Sequence, residues 1–274
     1  MTLLAVAVNG RGVVDPEEPV LRADDEALLR GRAAFETIRV YAGVPFKLAE
    51  HLERLAASAD RIGLPAVNRL ELDELARQAL DAAGAPDAVL RLIWTPSPAA
   101  LALVSALPDH YDDLRARGQA LISLRGIRAE EPWMLPGVKS TSYAVNMAAE
   151  AEARRRGADD ALFVDAAGIV LEGPTTNVWW RRGRMLFTPS LELGILAGVT
   201  RATVIELAAE TGYDVEEGAY PLSELQTADE AFTSSSVREV MPVTSLDDGP
   251  IARGSAADEL QGALRRAAGA TLAT

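Results

Sequence analysis

The chain has 274 residues, of which 49% are hydrophobic, and a formal charge of −13 at pH 7. This length and apolar content allow one or two compact domains, whereas the acidic balance disfavours binding to nucleic acid or to an anionic membrane surface. The lack of cysteine excludes disulfides, a thiolate nucleophile and cysteine-ligated metal sites, and two isolated histidines, His51 and His110, do not predict a histidine-rich metal site.

The N-terminal stretch lacks the basic leader of a signal peptide. No run approaches the roughly 18 apolar residues that a membrane-spanning helix needs. We therefore expect a cytoplasmic protein whose partners are small molecules, and a local basic site for one small anion is compatible with the overall charge.

Hydrophobic periodicity divides the first part of the chain into strands and helices, which predicts a mixed α+β character. Residues 33–41 alternate at period two, and this places Phe35 and Thr37 on one side of a strand and Glu36 on the other. The predicted elements are strands at 3–8, 33–41, 44–46, 88–94, 101–107 and 119–124, and helices at 48–62 and 70–83.

We predict a small α/β domain over residues 1–118, an interdomain segment over 119–135 and a larger domain over 136–274. Lys139 lies in a loop just ahead of the helix predicted at 143–156, which a glycine terminates. The other elements predicted here are strands at 161–164, 169–171, 178–180, 184–188, 230–236 and 237–243, and helices at 199–211 and within 252–274.

Lysine is scarce in this chain, because only 2 of its 27 basic residues are lysine and the others are arginine. An exposed ion pair accepts either residue, but arginine cannot replace lysine where a deprotonated amine must condense with an aldehyde. Lys139 is therefore a candidate covalent amine, with the capping of a turn as its ordinary alternative. Lys47, at a helix entrance, is expected to be solvated.

Other residues supply the remaining groups that a pyridoxal phosphate site requires. Glu172, after a buried strand, can keep a pyridine nitrogen protonated so that the ring absorbs electrons from a substrate Cα. The helix start at Val199 and Thr200 favours a phosphate, and Ser236 and Arg54 add a hydroxyl and a cation. Each feature alone is compatible with a turn or a solvated side chain, but the combination predicts pyridoxal 5′-phosphate as cofactor.

Six motifs span nearly the whole chain: Phe35-Glu36-Thr37-Ile38-Arg39-Val40, His51-Leu52-Glu53-Arg54-Leu55, Val138-Lys139-Ser140, Leu171-Glu172-Gly173 through Asn177, Gly198-Val199-Thr200-Arg201, and Ser234 through Pro242. In content and order they resemble the class IV pyridoxal-phosphate enzymes of fold type IV. This family includes branched-chain aminotransferases, D-amino-acid aminotransferases and 4-amino-4-deoxychorismate lyases.

The resemblance implies a role for each candidate residue. Lys139 would bind the cofactor aldehyde and shuttle the proton, Glu172 would pair with the pyridine nitrogen, and Tyr143 would approach the phenolic oxygen of the cofactor. The phosphate cup would be formed by Arg54, Val199, Thr200 and Ser236. The resemblance further implies a smaller α/β domain, a larger cofactor-binding domain with a barrel-like sheet, and a homodimer.

The subtype depends on details of the motifs. Thr37 argues against the branched-chain enzymes and resembles the lyases, in which a threonine at this position is thought to help eliminate pyruvate. Tyr143 and Asn146 instead resemble relatives associated with D-amino-acid transamination. The basic cluster that bacillary D-amino-acid aminotransferases use for the substrate carboxylate is absent at residues 95–98, so Arg39 is the candidate carboxylate contact.

Three functional hypotheses follow. The first is transamination between a D-amino acid, or a related (R)-amine, and a 2-oxo acid such as pyruvate or 2-oxoglutarate. The second is a lyase that converts aminodeoxychorismate into 4-aminobenzoate and pyruvate, also as a second activity of the same enzyme. The third is a noncatalytic carrier of pyridoxal phosphate, which needs Lys139 but no electron sink at Glu172.

Overall fold

The structure is a computed structural model that describes residues 2–97, 99–126 and 132–269. The described chain forms two compact units. The first unit comprises the residues up to Pro108 together with Val138–Tyr143, and the second comprises Asp109–Gly137 and Ala144–Ala267. The domain bounds drawn from the sequence stay a prediction, and residues 127–131 of the expected interdomain segment lie outside the described part.

The first unit is built on a six-stranded antiparallel sheet with helices on one face. In chain order its elements are β1 (Leu3–Val8), β2 (Gly12–Val14), α1 (Glu26–Arg30), β3 (Ala34–Tyr41), β4 (Val44–Pro45), α2 (Leu48–Arg61), α3 (Arg69–Ala83), β5 (Ala88–Trp94) and β6 (Ala100–Ser105). The strand order is β2-β1-β6-β5-β3-β4, and α2 and α3 cover one face of the sheet.

The alternation along β3 decides which side chains face the helices. Ile38 and Val40 are fully buried in a core that also contains Leu52 and Leu55 of α2, because successive side chains of a strand point to opposite faces. Phe35 and its period-two neighbours therefore lie on the face away from the helices. The predicted strand pattern and the predicted apolar stripe of α2 are both confirmed.

The second unit contains an eight-stranded sheet and five helices among its described residues. Its elements are α4 (His110–Arg117), β7 (Gln119–Arg125), α5 (Ala144–Arg155), β8 (Asp160–Val164), β9 (Asn177–Arg182), β10 (Met185–Pro189), α6 (Val199–Glu210), β11 (Asp214–Gly218), α7 (Leu222–Gln226), β12 (Glu230–Ser235), β13 (Glu239–Leu246), β14 (Gly249–Pro250) and α8 (Ala256–Ala267). The strand order is β11-β10-β9-β12-β13-β7-β8, with β14 paired to β13.

Residues 169–172 lie beside β8 at the end of this second sheet. The Leu171 N–H donates to the Phe163 carbonyl (3.0 Å), and on the other side the Val170 N–H donates to the Tyr220 carbonyl (2.9 Å). The strand predicted at 169–171 is wrong as a regular strand, since only isolated bridges form there. The segment changes partners within three residues and a Gly-Pro pair follows it, so no ladder can lengthen. The expected barrel-like sheet is confirmed.

Six short helices and strands have no counterpart in the sequence prediction: α1, α4, α7, β2, β11 and β14. Helix α1 buries none of its side chains and α4 buries only Leu114, so neither carries the apolar stripe that identifies a helix in a sequence. Strand β11 is an acidic edge strand with no buried residue. In the part of the chain that the structure describes, no helix combines the length and the apolarity needed to cross a membrane.

Candidate functional site

Lys139 is fixed along the edge of β3. Its carbonyl accepts the Phe35 N–H (3.2 Å), and two residues further on the Thr141 N–H donates to the Ala33 carbonyl (2.9 Å). From the other direction, the Lys139 N–H donates to the hydroxyl of Ser58 on α2 (3.2 Å). The loop that carries the lysine is therefore an added edge segment of the first sheet, with a rigid backbone.

The Lys139 side chain is enclosed by aromatic rings. The residue is 9% exposed, and its Nζ lies 4.5 Å from the ring centroid of Phe35 and 5.7 Å from that of Tyr143. The two rings meet edge to face at 5.2 Å. A lysine that only caps a turn keeps its amine in water, so the burial favours the chemical role expected for this residue.

Glu36 ties β3 to α2 through a fully buried carboxylate. Arg54 donates to it from Nε (2.8 Å) and Nη2 (2.6 Å), and Nδ1 of His51 lies 2.7 Å from the same carboxylate. Burial alone raises the pKa of Glu36, but the charge and hydrogen bonds of Arg54, with the bond from His51, outweigh it and lower the pKa to about 2. Burial also lowers the pKa of His51, which favours a neutral ring that donates from Nδ1.

This arrangement changes the interpretation of Arg54. Its side chain is 13% exposed, so it is not the solvated helical arginine that a sequence pattern usually implies. A two-point contact with Glu36 fixes the plane of the guanidinium. The sequence singled out Arg54 but missed Glu36 and His51 as its partners, although the motif blocks contained both.

Thr37 and Arg91 face each other on the opposite side of the same sheet. They are directly paired in the β3–β5 register, and the Arg91 Cζ lies 5.9 Å from the Phe35 ring centroid. Nε of Arg91, like that of Arg39, is buried without a hydrogen-bond partner, but among the described residues Arg91 forms no ion pair. A cation beside Thr37 and Phe35 that lacks an anionic partner can hold a carboxylate.

Arg39, the carboxylate contact expected from the sequence, stays a prediction, and Arg91 was not among the expected residues. Arg39 pairs with Asp87 at 3.6 Å and lies against the Tyr41 ring, with its Cζ 4.9 Å from the centroid. The available signal for Arg91 was its place as the single charged residue in the apolar strand β5. A charge in such a run is costly unless something pairs with it.

In the second unit, Glu172 helps to hold the loop before α6. The residue is 6% exposed, and its carboxylate accepts the Leu196 N–H at 3.0 Å, while Nδ2 of Asn177 donates to the Leu196 carbonyl at 3.1 Å. A Cβ at Gly198 would overlap the side-chain oxygen of Asn177, so glycine is required for this close approach. These contacts fix the start of the following helix.

Helix α6 begins with Val199 and Thr200 in a position suited to an anion. Its N-cap residue, Gly198, makes no side-chain cap, and the helix has 12 residues. The N–H groups of the first turn and the helix dipole therefore favour a negative group at this end. Thr200 is 5% exposed, so it is largely shielded from water at this helix end.

Ser236 follows β12 in a turn and is half-buried. The hydroxyls before it are engaged: Thr233 accepts from Gln119 (2.6 Å), Ser234 accepts from Trp179 (2.9 Å), and Ser235 accepts the Arg238 N–H (3.3 Å). Within the described ranges, no protein group bonds the Ser236 hydroxyl. The hydroxyl of Ser236 is therefore available to bind a ligand.

Each unit, taken by itself, holds groups of the chemical kinds that pyridoxal phosphate requires. The first unit has the enclosed amine of Lys139 and the anchored guanidinium of Arg54. The second unit has the buried carboxylate of Glu172, an uncapped helix N-terminus and the Ser236 hydroxyl. Among the residues that the structure describes, no group of three or more acidic or histidine side chains could hold a metal ion.

The chain matches the family model described as amino-transferase class IV over residues 33–246. It belongs to this family. Class IV aminotransferases are pyridoxal-phosphate enzymes, so the predicted family, enzyme class, cofactor and fold type are confirmed. The roles of individual residues, the substrates and the oligomeric state stay predictions.

Similar proteins include enzymes with different activities. The aminodeoxychorismate lyase of Bacillus subtilis is 34% identical, covering 95% of this chain and 92% of the relative. A bifunctional aminodeoxychorismate lyase / D-amino acid transaminase of Mycobacterium tuberculosis is 33% identical over 89% of this chain and 91% of the relative. The structure also resembles a hypothetical aminotransferase from Mycobacterium tuberculosis in its alpha-ketoglutarate and PMP bound form, with a TM-score of 0.91, 32% identity, and coverage of 96% and 98%.

Proposed function

We propose that this enzyme moves an amino group between a D-amino acid, or a related (R)-amine, and a 2-oxo acid such as pyruvate or 2-oxoglutarate. The observation that carries the proposal is that Phe35 contacts both the Lys139 amine and the Arg91 guanidinium. One side chain thereby brings a proton carrier near a cation that can hold the substrate carboxylate. The similarity to a relative named for D-amino acid transamination supports the stereochemistry.

Each residue of the proposed site has a separate role in the reaction. When bound, pyridoxal phosphate supplies an aldehyde for the substrate amine and a ring that withdraws electrons from the substrate Cα. Lys139 Nζ would take the proton released at the substrate Cα and return it, and Glu172 would keep the ring nitrogen protonated. Tyr143, whose ring lies against the lysine amine, would donate a hydrogen bond to the phenolic oxygen. Arg54, Val199, Thr200 and Ser236 would hold the phosphate.

The same proposal includes a homodimer in the cytoplasm. Large apolar side chains of the second unit support self-association, because Trp133 is 77% exposed, Val145 69% and Met147 51%. Exposed apolar groups of this size are costly in water and are common at interfaces. Sedimentation at several protein concentrations should show a dimer, and a monomer at micromolar concentration would contradict this part.

A substrate panel tests the transaminase. Purified holoenzyme is mixed with D- and L-amino acids, each with pyruvate or 2-oxoglutarate, and amino-acid products are separated by chirality. When D-alanine is added without a 2-oxo acid, we expect it to convert the bound cofactor stoichiometrically to pyridoxamine phosphate, which is followed by absorbance. Conversion by L-amino acids only, or by none, would overturn the proposal.

The lyase is the second candidate, and Thr37 favours it. This threonine lies opposite Arg91 in the sheet register, so its hydroxyl is beside the cation that would hold a substrate carboxylate. A lyase should release 4-aminobenzoate and pyruvate from aminodeoxychorismate without conversion to pyridoxamine phosphate. Thr37→Val should then abolish pyruvate release but spare D-alanine conversion, whereas an equal loss of both would argue against a separate lyase role.

The Glu172→Gln variant addresses the noncatalytic carrier. Glutamine retains an oxygen for the Leu196 N–H but cannot keep the pyridine nitrogen protonated. We expect cofactor to remain bound while turnover falls strongly. Unchanged turnover would remove the electron-sink role from Glu172.

A further inference from the structure

The turn that carries Ser236 ends in a residue with an unfavourable backbone conformation. Glu239 has φ of 58°, in the left-handed region that side chains with a Cβ rarely adopt. It is also fully buried at the start of β13. Such a conformation persists only where surrounding contacts impose it.

Two helices impose it through the Glu239 carboxylate. Arg115 of α4 contacts the carboxylate at 3.2 Å, and Arg265 and Gln261 of α8 contact it at 2.9 Å and 2.6 Å. Arg115 also donates to the Arg238 carbonyl at 2.9 Å, the carbonyl of the peptide bond that enters Glu239. The ion cluster therefore fixes the end of the turn in both side chain and backbone.

Arg238, the residue before Glu239, is held by contacts of its own. The Arg238 guanidinium pairs with the buried carboxylate of Asp160 and lies over the Tyr111 ring, with Cζ 5.8 Å from the centroid. Its backbone N–H donates to the Ser235 hydroxyl at 3.3 Å. Ser236 thus sits inside a turn that is closed by a hydrogen bond and anchored at its far end by two buried ion clusters.

We propose that Glu239 is a positioning residue for the cofactor phosphate, because it holds the turn that presents Ser236. The inference rests on the proposed role of Ser236 in phosphate binding. A turn that is already ordered loses no further conformational freedom when the phosphate binds. Buried ion pairs seldom increase stability over apolar side chains of similar size, so a geometric role accounts better for this cluster at this position.

The test compares two forms of the cofactor. Apoprotein is titrated with pyridoxal 5′-phosphate and with pyridoxal, which has the aldehyde but no phosphate, and binding is followed by absorbance. Glu239→Gln should weaken pyridoxal 5′-phosphate binding at least tenfold and leave pyridoxal binding within about twofold. A merely structural role would weaken both ligands alike, and that result would overturn the proposal.

Glu230→Gln is the matched control. Glu230 is 1% exposed, pairs with Arg181 at 3.1 Å, and accepts the Ala257 N–H at 2.9 Å, but it lies at the other end of β12. Its replacement should leave the ratio of the two affinities unchanged. A ratio that changes as much as in Glu239→Gln would overturn the specific role of Glu239.

Two further variants keep the test decisive. If Glu239→Gln does not fold, Arg265→Gln removes one cation and leaves Arg115 on the carboxylate, and it should give the same selective loss in a smaller amount. An unchanged ratio in both variants overturns the proposal. Ser236→Ala distinguishes the positioning role of Glu239 from the phosphate role of Ser236. If Ser236→Ala weakens pyridoxal 5′-phosphate binding and Glu239→Gln does not, only the positioning role is refuted. If Ser236→Ala does not weaken it, the phosphate role of Ser236 is refuted as well.

Discussion

Phe35 contacts Lys139 twice. Its backbone N–H donates to the lysine carbonyl at 3.2 Å, and its ring centroid lies 4.5 Å from the lysine amine. The backbone contact fixes where the lysine leaves the chain, and the ring limits where its amine can go. Strand β3 therefore supports the loop that carries the candidate amine.

Lys139→Arg should retain the fold and lose activity. Arginine preserves the positive charge against the Phe35 ring, but it can neither condense with the cofactor aldehyde nor exchange a proton near neutral pH. We expect turnover to fall by roughly 10²–10⁴-fold or more, and borohydride treatment should no longer attach cofactor to the peptide that contains residue 139.

Lys47→Arg is the control, since Lys47 is the second lysine of the chain and pairs with Glu50 at 3.3 Å. It should retain full activity and borohydride labelling. Label on the peptide containing Lys47 in the native enzyme would contradict the assignment of Lys139.

Arg91→Gln should weaken substrate binding selectively. A hydrogen bond from a charged donor is worth about 1.5–3 kcal/mol, so kcat/KM for a D-amino acid should fall by roughly 10- to 100-fold, mainly through KM. Cofactor affinity should not change. Arg39→Gln, on the same face but engaged with Asp87, should have a much smaller effect, and the reverse order would favour Arg39 as the carboxylate contact.

The ionisation of Glu36 should make the free energy of unfolding depend on pH in the acid range. Its pKa in the folded chain, about 2, lies below the ordinary value of 4.5, so its contribution is complete above pH 4.5 and is lost as the pH falls towards 2. The size is roughly 3 kcal/mol by linkage. Urea unfolding of the native chain and Glu36→Gln at pH 3, 5 and 7 should show this difference shrinking at the lowest pH.

Glu152 is the control for that prediction. Hydrogen bonds from Arg155 and Arg156 also lower its pKa, but its side chain is 29% exposed to solvent, whereas that of Glu36 is fully buried. Solvent screens such pairs, which contribute little to stability. Glu152→Gln should leave the pH profile of unfolding unchanged, and a shift equal to that of Glu36→Gln would argue against burial as the cause.

Gly198→Ala should damage the start of α6. The added methyl group would overlap the Asn177 side chain, which also bonds the Leu196 carbonyl. We expect a lower melting temperature and weaker pyridoxal 5′-phosphate binding. Gly262→Ala in α8 meets only the flexible end of Arg266 at 3.3 Å and should be stabilising by about 0.5–1 kcal/mol; equal effects of the two variants would contradict the role given to Gly198.

The sequence predicted the long elements because their patterns are strong. The alternation of β3, the apolar stripe of α2 and the terminal glycine of α3, which adopts φ of 59° at Gly84, are local signals. Short elements such as α4 have no such signal, since Leu114 is its one buried residue. The pairing of residues 169–172 with two different partners also could not be deduced from local pattern.

The sequence by itself determined the family, the cofactor and Lys139 as the candidate amine, because motif order and the scarcity of lysine are properties of the chain alone. Only the tertiary structure decided that Glu36 holds Arg54 and that Arg91 is a cation of the sheet with no ion pair among the described residues. The physical reason is that periodicity assigns a side chain to a face, whereas its partner depends on strand register and helix rotation between residues far apart in the chain.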